Sequence, residues 1–368
     1  MKRCILFLFF IPAIIFAAPL YSPTWGFRLH LPEGYEYVDG DGRDRFSFRG
    51  PGGAMFDIIV YDGTYANMNE LVNDVNHRLQ NRGNVDFFDY NGKQAAIIEL
   101  SFGSAGGWAL AIEMSPGIFL LALAYCPANR SELTLFHLSA LDSIVPTNAD
   151  LFYPGPIMAY SFPRGEPRQT ALAGTGITAL IYENDAEASQ VLIEREFNIL
   201  VHYVDAPNWR EAWLRYYRMI YRDSFARIAD AALALAQYFG AAGILTESDQ
   251  RAFAQRALTY VQGFEYERNF AGSDFLNLVT AVTEGRGDCD NRAMLWAIIL
   301  SKAGIHSAMM VSRYYSHAMG LANIAGPGAR FEAFGINWLV AETTANVGIG
   351  LIDQEMSDPR YWLGIIFD

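Results

Sequence analysis

"GRGDCDNRAMLWAIILSKAGI", residues 285–305, decides the fold of the C-terminal part of this chain. Asp288 is a natural helix N-cap, so Cys289 falls in the first turn of a helix that runs to Gly304. Ala293, Met294, Ala297, Ile298 and Leu300, with Leu295, Trp296 and Ile299 beside them, make that helix apolar nearly all round. Such a helix is buried except at its start, which is therefore held rigidly. A helix N-terminus offers partial positive charge and free N–H groups, a setting that favours a thiolate. A lone cysteine there is more commonly core packing, so the position suits chemistry without proving it.

Working downstream, "RYYSHAMGLANI" (313–324) reads as a turn and then a strand starting near His317. "GPGA" (326–329) is a loop, "RFEAF" (330–334) is extended, and "NWLVAETTA" (337–345) is a last strand carrying Glu342. A thiol on a helix start, an imidazole on the next strand and a carboxylate on a later one is the order a cysteine hydrolase requires. The imidazole takes the thiol proton, and the carboxylate fixes its tautomer and stabilises its cation.

On "GDCD" with its apolar helix and "AGI", His317 followed by small and apolar residues, and the "WLVAETT" strand, residues from about 255 to 352 resemble the transglutaminase-like superfamily of papain-fold thiol enzymes, in its bacterial exported branch. The resemblance implies Cys289 as nucleophile, His317 as general base and Glu342 as third member. Many members have Asp at the last position, and Glu332 is the next candidate here. "YVQGFEYE" (260–267) resembles the stretch that implies Gln262 as an oxyanion donor beside the backbone N–H of Cys289. The plainer reading of Gln262 is a helix-end glutamine bonded to a nearby carbonyl.

Upstream, a helix is expected from the capping pair Thr246 and Asp249 to about Gln262, and a long one from Pro207 to Gly240. The Trp213, Tyr216, Tyr217 and Tyr221 stripe on the latter is read as packing. "DAEASQVLIEREFNILVHYV" (185–204) also fits a helix. Residues 170–245 thus form a mainly helical accessory segment ahead of a catalytic domain at 246–368, and the Pro- and Gly-dense stretch 148–169 reads as a linker. Residues 19–147 alternate strands with two helices, at "NMNELVNDVNHRLQNR" and "PANRSELTLFHLSALDSIV". That order resembles the PsbP-like α/β sandwich. The expected fold class is α+β, with an N-terminal sandwich, a helical segment and a transglutaminase-like domain.

Lys2 and Arg3 followed by the apolar run Ile5–Phe16 and by Ala17 and Ala18 read as a signal peptide over residues 1–18, too short for a transmembrane span. The protein is expected to be exported, periplasmic or extracellular, with no span in the mature chain. Formal charge is -13, and losing Lys2 and Arg3 makes it more negative, which argues against nucleic acid as a partner. Cys126 and Cys289 are the cysteines left after processing, so burial rather than a disulfide framework must hold the fold; one disulfide between them would silence a thiol enzyme. His30, His77, His137, His202 and His306 lack ligand spacing, so no metal and no cofactor are expected. The glycines of "AGTGIT" and "GGAMF" read as turns, not phosphate loops.

Together these readings anticipate a thiol enzyme acting on an amide bond of a protein or peptide substrate, a cell-envelope component among the candidates. Hydrolysis, as a peptidase or deamidase, is favoured over amine transfer. The alternative is a non-catalytic binding or envelope-assembly module that keeps the fold.

Overall fold

The structure is a computed structural model and describes residues 19–241, 243, 245–268 and 272–367. Residues 1–18, expected to be a signal peptide, lie outside the described residues. Short pairing of β1 (Leu20–Tyr21) with β2 (Arg28–Leu29) opens the chain. An exposed strand β3 (Glu36–Gly40) precedes β4 (Arg45–Arg49) and β5 (Met55–Asp62), which alternate apolar residues and are followed by helix α1 (Met68–Leu79). β6 (Val85–Tyr90), β7 (Lys93–Phe102), β8 (Ala105–Ser115) and β9 (Ile118–Pro127) form a meander. They make a seven-stranded antiparallel sheet in the order β3-β4-β5-β9-β8-β7-β6.

Period-two alternation gives this sheet two apolar faces. On one, α1 packs Met68, Leu71, Val72 and Val75 over Ala96, Ile98, Ala109 and Leu121. Asn67 caps α1 by accepting the Glu70 N–H at 3.0 Å. On the other, Leu110, Ile112, Leu120 and Ala122 meet Phe136, Ala140 and Leu141 of α2 (Thr134–Asp142).

The stretch 148–169 is more ordered than a linker. It holds α3 (Pro156–Ser161), whose Ile157 and Met158 N–H groups both donate to buried Asp142 Oδ1, at 2.9 and 3.0 Å. β10 (Pro167–Ala171) then pairs with β11 (Thr178–Tyr182). Helix α4 (Asp185–Leu200) follows as expected. The long helix expected over 207–240 is instead α5 (Trp209–Arg227) and α6 (Ala229–Tyr238), with a corner at Ile228 (φ -100°, ψ 16°). Arg227 accounts for the corner: buried, it donates to Asp223 at 2.8 Å and to Asp185 of α4 at 2.9 Å, which fixes the end of α5 against its neighbour. α7 (Glu247–Gln262) starts at Thr246, which accepts the Asp249 N–H.

After α8 (Leu278–Glu284) comes α9 (Cys289–Lys302), then β12 (Ser307–Ser312), β13 (His317–Ala322), β14 (Arg330–Ala333), β15 (Ile336–Ala341) and β16 (Leu363–Ile365). These strands form a second antiparallel sheet, β14-β15-β13-β12-β16. One face carries α9, and the other is closed by Met310, Met319, Leu321, Trp338 and Trp362. Gly320 lets α9 approach: a Cβ there would lie 2.4 Å from the Trp296 ring. The molecule is thus mixed α+β with several sheets. A single apolar cluster runs from Phe27 through α4 to α9 and on to Ile365, so the helical layer shares its core with both large sheets. Among the described residues no helix is long and apolar enough to cross a membrane.

Candidate active site

The site begins at the cap of α9. Gly287 precedes it at φ +151°, and a Cβ there would lie 2.1 Å from Asn291 Oδ1, so glycine is what this approach requires. Asp288 then accepts the Asp290 and Asn291 N–H groups at 3.0 and 3.2 Å. Cys289, 3 % exposed, occupies the first helical position, as its sequence context anticipates. Cys289 and His317 both line one cavity of about 230 Å³.

His317 Nε2 lies 2.8 Å from Glu342 Oε2. The carboxylate is fixed in turn, since Glu342 Oε1 accepts the Thr344 N–H at 2.7 Å and its hydroxyl at 2.6 Å. Burial opposes the charge of Glu342. His317 and Thr344 outweigh it and bring the carboxyl down to about 2. With Nε2 held by Glu342, Nδ1 is the ring nitrogen left for the cavity side. Glu332, the fallback carboxylate, is exposed on β14, while His306 packs edge-on against Trp338 at 4.8 Å.

Gln262 departs from the oxyanion expectation. Its Nε2 donates to the backbone carbonyls of Glu342 at 2.8 Å and Val347 at 3.0 Å. Its side-chain N–H groups are therefore spent on holding the loop after β15, the plainer of the two readings. The reason is placement: at the C-terminal end of α7, Gln262 meets carbonyls that need donors.

The thiol's electrostatics also depart from expectation. Burial, then the charges of Asp290 and Asp288, push the Cys289 thiol up, against the helix terminus. The two carboxyls are themselves raised, first by burial; Asp288 reaches about 7, and Asp290 lies well above the usual carboxylate range. Among the described residues, Asp288, Cys289 and Asp290 bring one potential metal-ligand atom each within 4.8 Å of the others. Of these carboxylates, Asp288 is already engaged through Oδ1 in capping the helix. Cys126 and Cys289 are both free, with no disulfide between them.

Several cavity residues carry no functional reading in the sequence. Asp290 sits within the "GDCD" motif, and its neighbour in the cavity, Asp274, is ion-paired to Arg268 at 2.8 Å. Trp213, Tyr216 and Tyr217 also line the cavity, so α5 supplies a wall of the site as well as packing. The i, i+4 spacing of Trp213 and Tyr217 was the available signal, and it does not distinguish a wall from a core.

No family model matches the chain, and no curated protein matches it. Two solved structures overlap it in part. The solution structure of CyanoP, the cyanobacterial PsbP of Synechocystis sp. PCC 6803, is 13% identical and covers 35% of this chain and 91% of its own, with a TM-score of 0.29. A provisionally assigned protease from Parabacteroides distasonis ATCC 8503 is 10% identical and covers 73% of this chain, with a TM-score of 0.23. This chain spans 42% of that protein. At such TM-scores neither likeness carries an argument about fold or function.

Proposed function

We propose that the protein is an exported transglutaminase-like thiol enzyme acting on amide bonds of a protein or peptide, a cell-envelope component included, through Cys289, His317 and Glu342. The observation that carries the reading is the shared cavity: Cys289 and His317 both line it, and Glu342 holds His317 Nε2 at 2.8 Å. In this reading the N-terminal layer is a PsbP-like sandwich, on its strand, helix, strand, helix order, and the C-terminal sheet with α9 is the catalytic domain.

In the proposed mechanism Cys289 Sγ bonds to the amide carbon while its proton passes to His317 Nδ1, because a thiol held neutral cannot give up its proton beforehand. Glu342 accepts from Nε2–H and stabilises the imidazolium. The backbone N–H of Cys289 is assigned to the oxyanion. Collapse expels the amine, which takes the proton from His317 and leaves an acyl thioester. Water then resolves the thioester in the hydrolysis we favour, and an amine would resolve it in transfer. No cofactor is required.

Mass spectrometry of the mature protein incubated with an envelope-peptide library tests this. An acyl adduct on Cys289, absent from Cys289→Ala and His317→Ala, is expected; library turnover that survives Cys289→Ala overturns the reading. One observation favours the second reading, a binding or assembly module without turnover: the thiol is pushed up rather than down. That module predicts ordinary or slow alkylation of Cys289 together with no adduct from any library member.

A further inference from the structure

We propose that the groove beside the catalytic cavity binds an acidic peptide segment of the substrate, held by the guanidinium groups of Arg210, Arg313 and Arg360; the word substrate rests on the thiol-enzyme reading, the binding does not. The groove holds about 500 Å³ and shares two walls, Val311 and Arg313, with the cavity that contains Cys289 and His317. A chain lying in it therefore continues toward the sulfur. The connection is short along the backbone as well. Arg313 and Tyr314 belong to the turn between β12 and β13, and β13 opens with His317.

Charge selects the occupant. The chain as a whole carries 27 Lys and Arg against 40 Asp and Glu, so a groove lined by three arginines is opposite in sign to the molecule. Their local partners leave donors over. Arg360 pairs with Asp358 yet its side chain is 80% exposed, and Arg313 lies 3.3 Å from an Asp205 carboxylate that is itself 93% exposed. The Arg313–Asp205 pair, exposed on both sides, contributes little and exchanges readily for another carboxylate, while the forked Arg360–Asp358 pair holds Arg360 Nε and Nη2 and leaves Nη1 for an occupant. Arg210 lies over the Trp209 ring at 4.6 Å, with no ion pair among the described residues.

The rings argue for a peptide over a sugar. Tyr314, 69% exposed, stacks on Tyr361 at 4.2 Å and 16°, so each ring already covers a face of the other, and Arg210 covers Trp209. What the groove offers is therefore guanidinium N–H, which matches carboxylate in a forked geometry. Leu363, at the start of strand β16 on the edge of its sheet, is a further wall, and a strand edge suits an extended chain.

The test uses the mature Cys289→Ala protein, in which nothing turns over, and fluorescence anisotropy with a labelled polyglutamate peptide, its polylysine counterpart and chitohexaose. Polyglutamate is expected to bind, more weakly as salt rises, while the other probes do not. Reversing charge in Arg210→Glu with Arg313→Glu should weaken polyglutamate at least about tenfold. Tyr314→Ala should weaken it less. Both variants change exposed side chains, and an unchanged urea midpoint shows that they are folded. No polyglutamate binding, equal binding by the charge-reversed variant, equal binding of polylysine, or binding of chitohexaose instead each overturns the proposal. None of these results touches the acyl adduct on Cys289, so the two readings fail separately.

Discussion

At Cys289 two effects oppose each other, and their sizes decide the outcome. A helix N-terminus stabilises an anion by about 0.3–1 kcal/mol, at most about 2, which is roughly one pKa unit. Full burial shifts a group by up to about 3–5 units the other way. Cys289 is 3 % exposed and has Asp288 and Asp290 on either side, so burial and charge win and the thiol rests neutral. Asp290→Asn should then move the pH profile of Cys289 alkylation down by about one unit or more, read with iodoacetamide on a Cys126→Ala background. An unmoved profile would show that this carboxylate does not act on the sulfur. Glu342 is the opposite case, a carboxyl brought down to about 2 by His317 and Thr344. Its charge is kept down to strong acid. Glu342→Gln keeps an acceptor for Nε2–H but loses that charge, so adduct formation on Cys289 should slow by roughly 100-fold or more, yet less than in His317→Ala. An unchanged rate would move the role to another carboxylate.

The elements explain which parts of the site were legible. The first turn of α9, the start of β13 at His317 and the end of β15 before Glu342 all follow from local pattern: an N-cap, an apolar helix and two apolar strands. Gln262 was legible as a helix end but not in its partners, because the carbonyls of Glu342 and Val347 lie 80 and 85 residues away. Nor could sequence foresee the corner at Ile228, which depends on a tertiary pairing of Arg227 with Asp185. Gly320 shows how much the site owes to helix-on-sheet packing. Trp296 cannot retreat, since its Nε1 donates to Ala254 of α7 at 3.0 Å and its side chain is fully buried. Gly320→Ala should therefore lever α9 from β13, costing about 1–3 kcal/mol by urea denaturation and slowing Cys289 acylation beyond what the lost stability explains. Acylation at the wild-type rate in the folded variant would mean that the spacing of α9 and β13 does not set the reaction.

For the whole molecule, the question is whether the N-terminal layer is an independent passenger, as a boundary near residue 150 suggests. The buried charges argue that it is not. Arg215 of α5, fully buried, donates to Glu196 of α4 at 2.6 Å and to Ser139 of α2 at 2.9 Å, and lies 3.3 Å from Glu33. Arg195 reaches Asp142 of α2 at 2.5 Å. One network thus ties the sheet-covering helix of the N-terminal layer to the helices that wall the cavity at Cys289. Burial opposes the charge of Glu196, yet Arg215 and Arg195 lower its carboxyl overall. Its contribution is therefore present above the unfolded value near 4.5 and is lost as pH falls through the lower folded one. Arg215→Met leaves Glu33 buried without its cation and Glu196 with Arg195 alone, which should cost about 3–5 kcal/mol at neutral pH. Adding Glu33→Leu and Glu196→Leu should recover most of it, because the stranded charges leave with their partner. Urea should unfold both layers in one transition, read by tryptophan fluorescence in two variants, one retaining Trp108 alone for the N-terminal sheet and the other Trp296 alone for α9. Two separated midpoints, or an Arg215→Met variant as stable as wild type, would mean that the layers fold independently and that this network does not couple them.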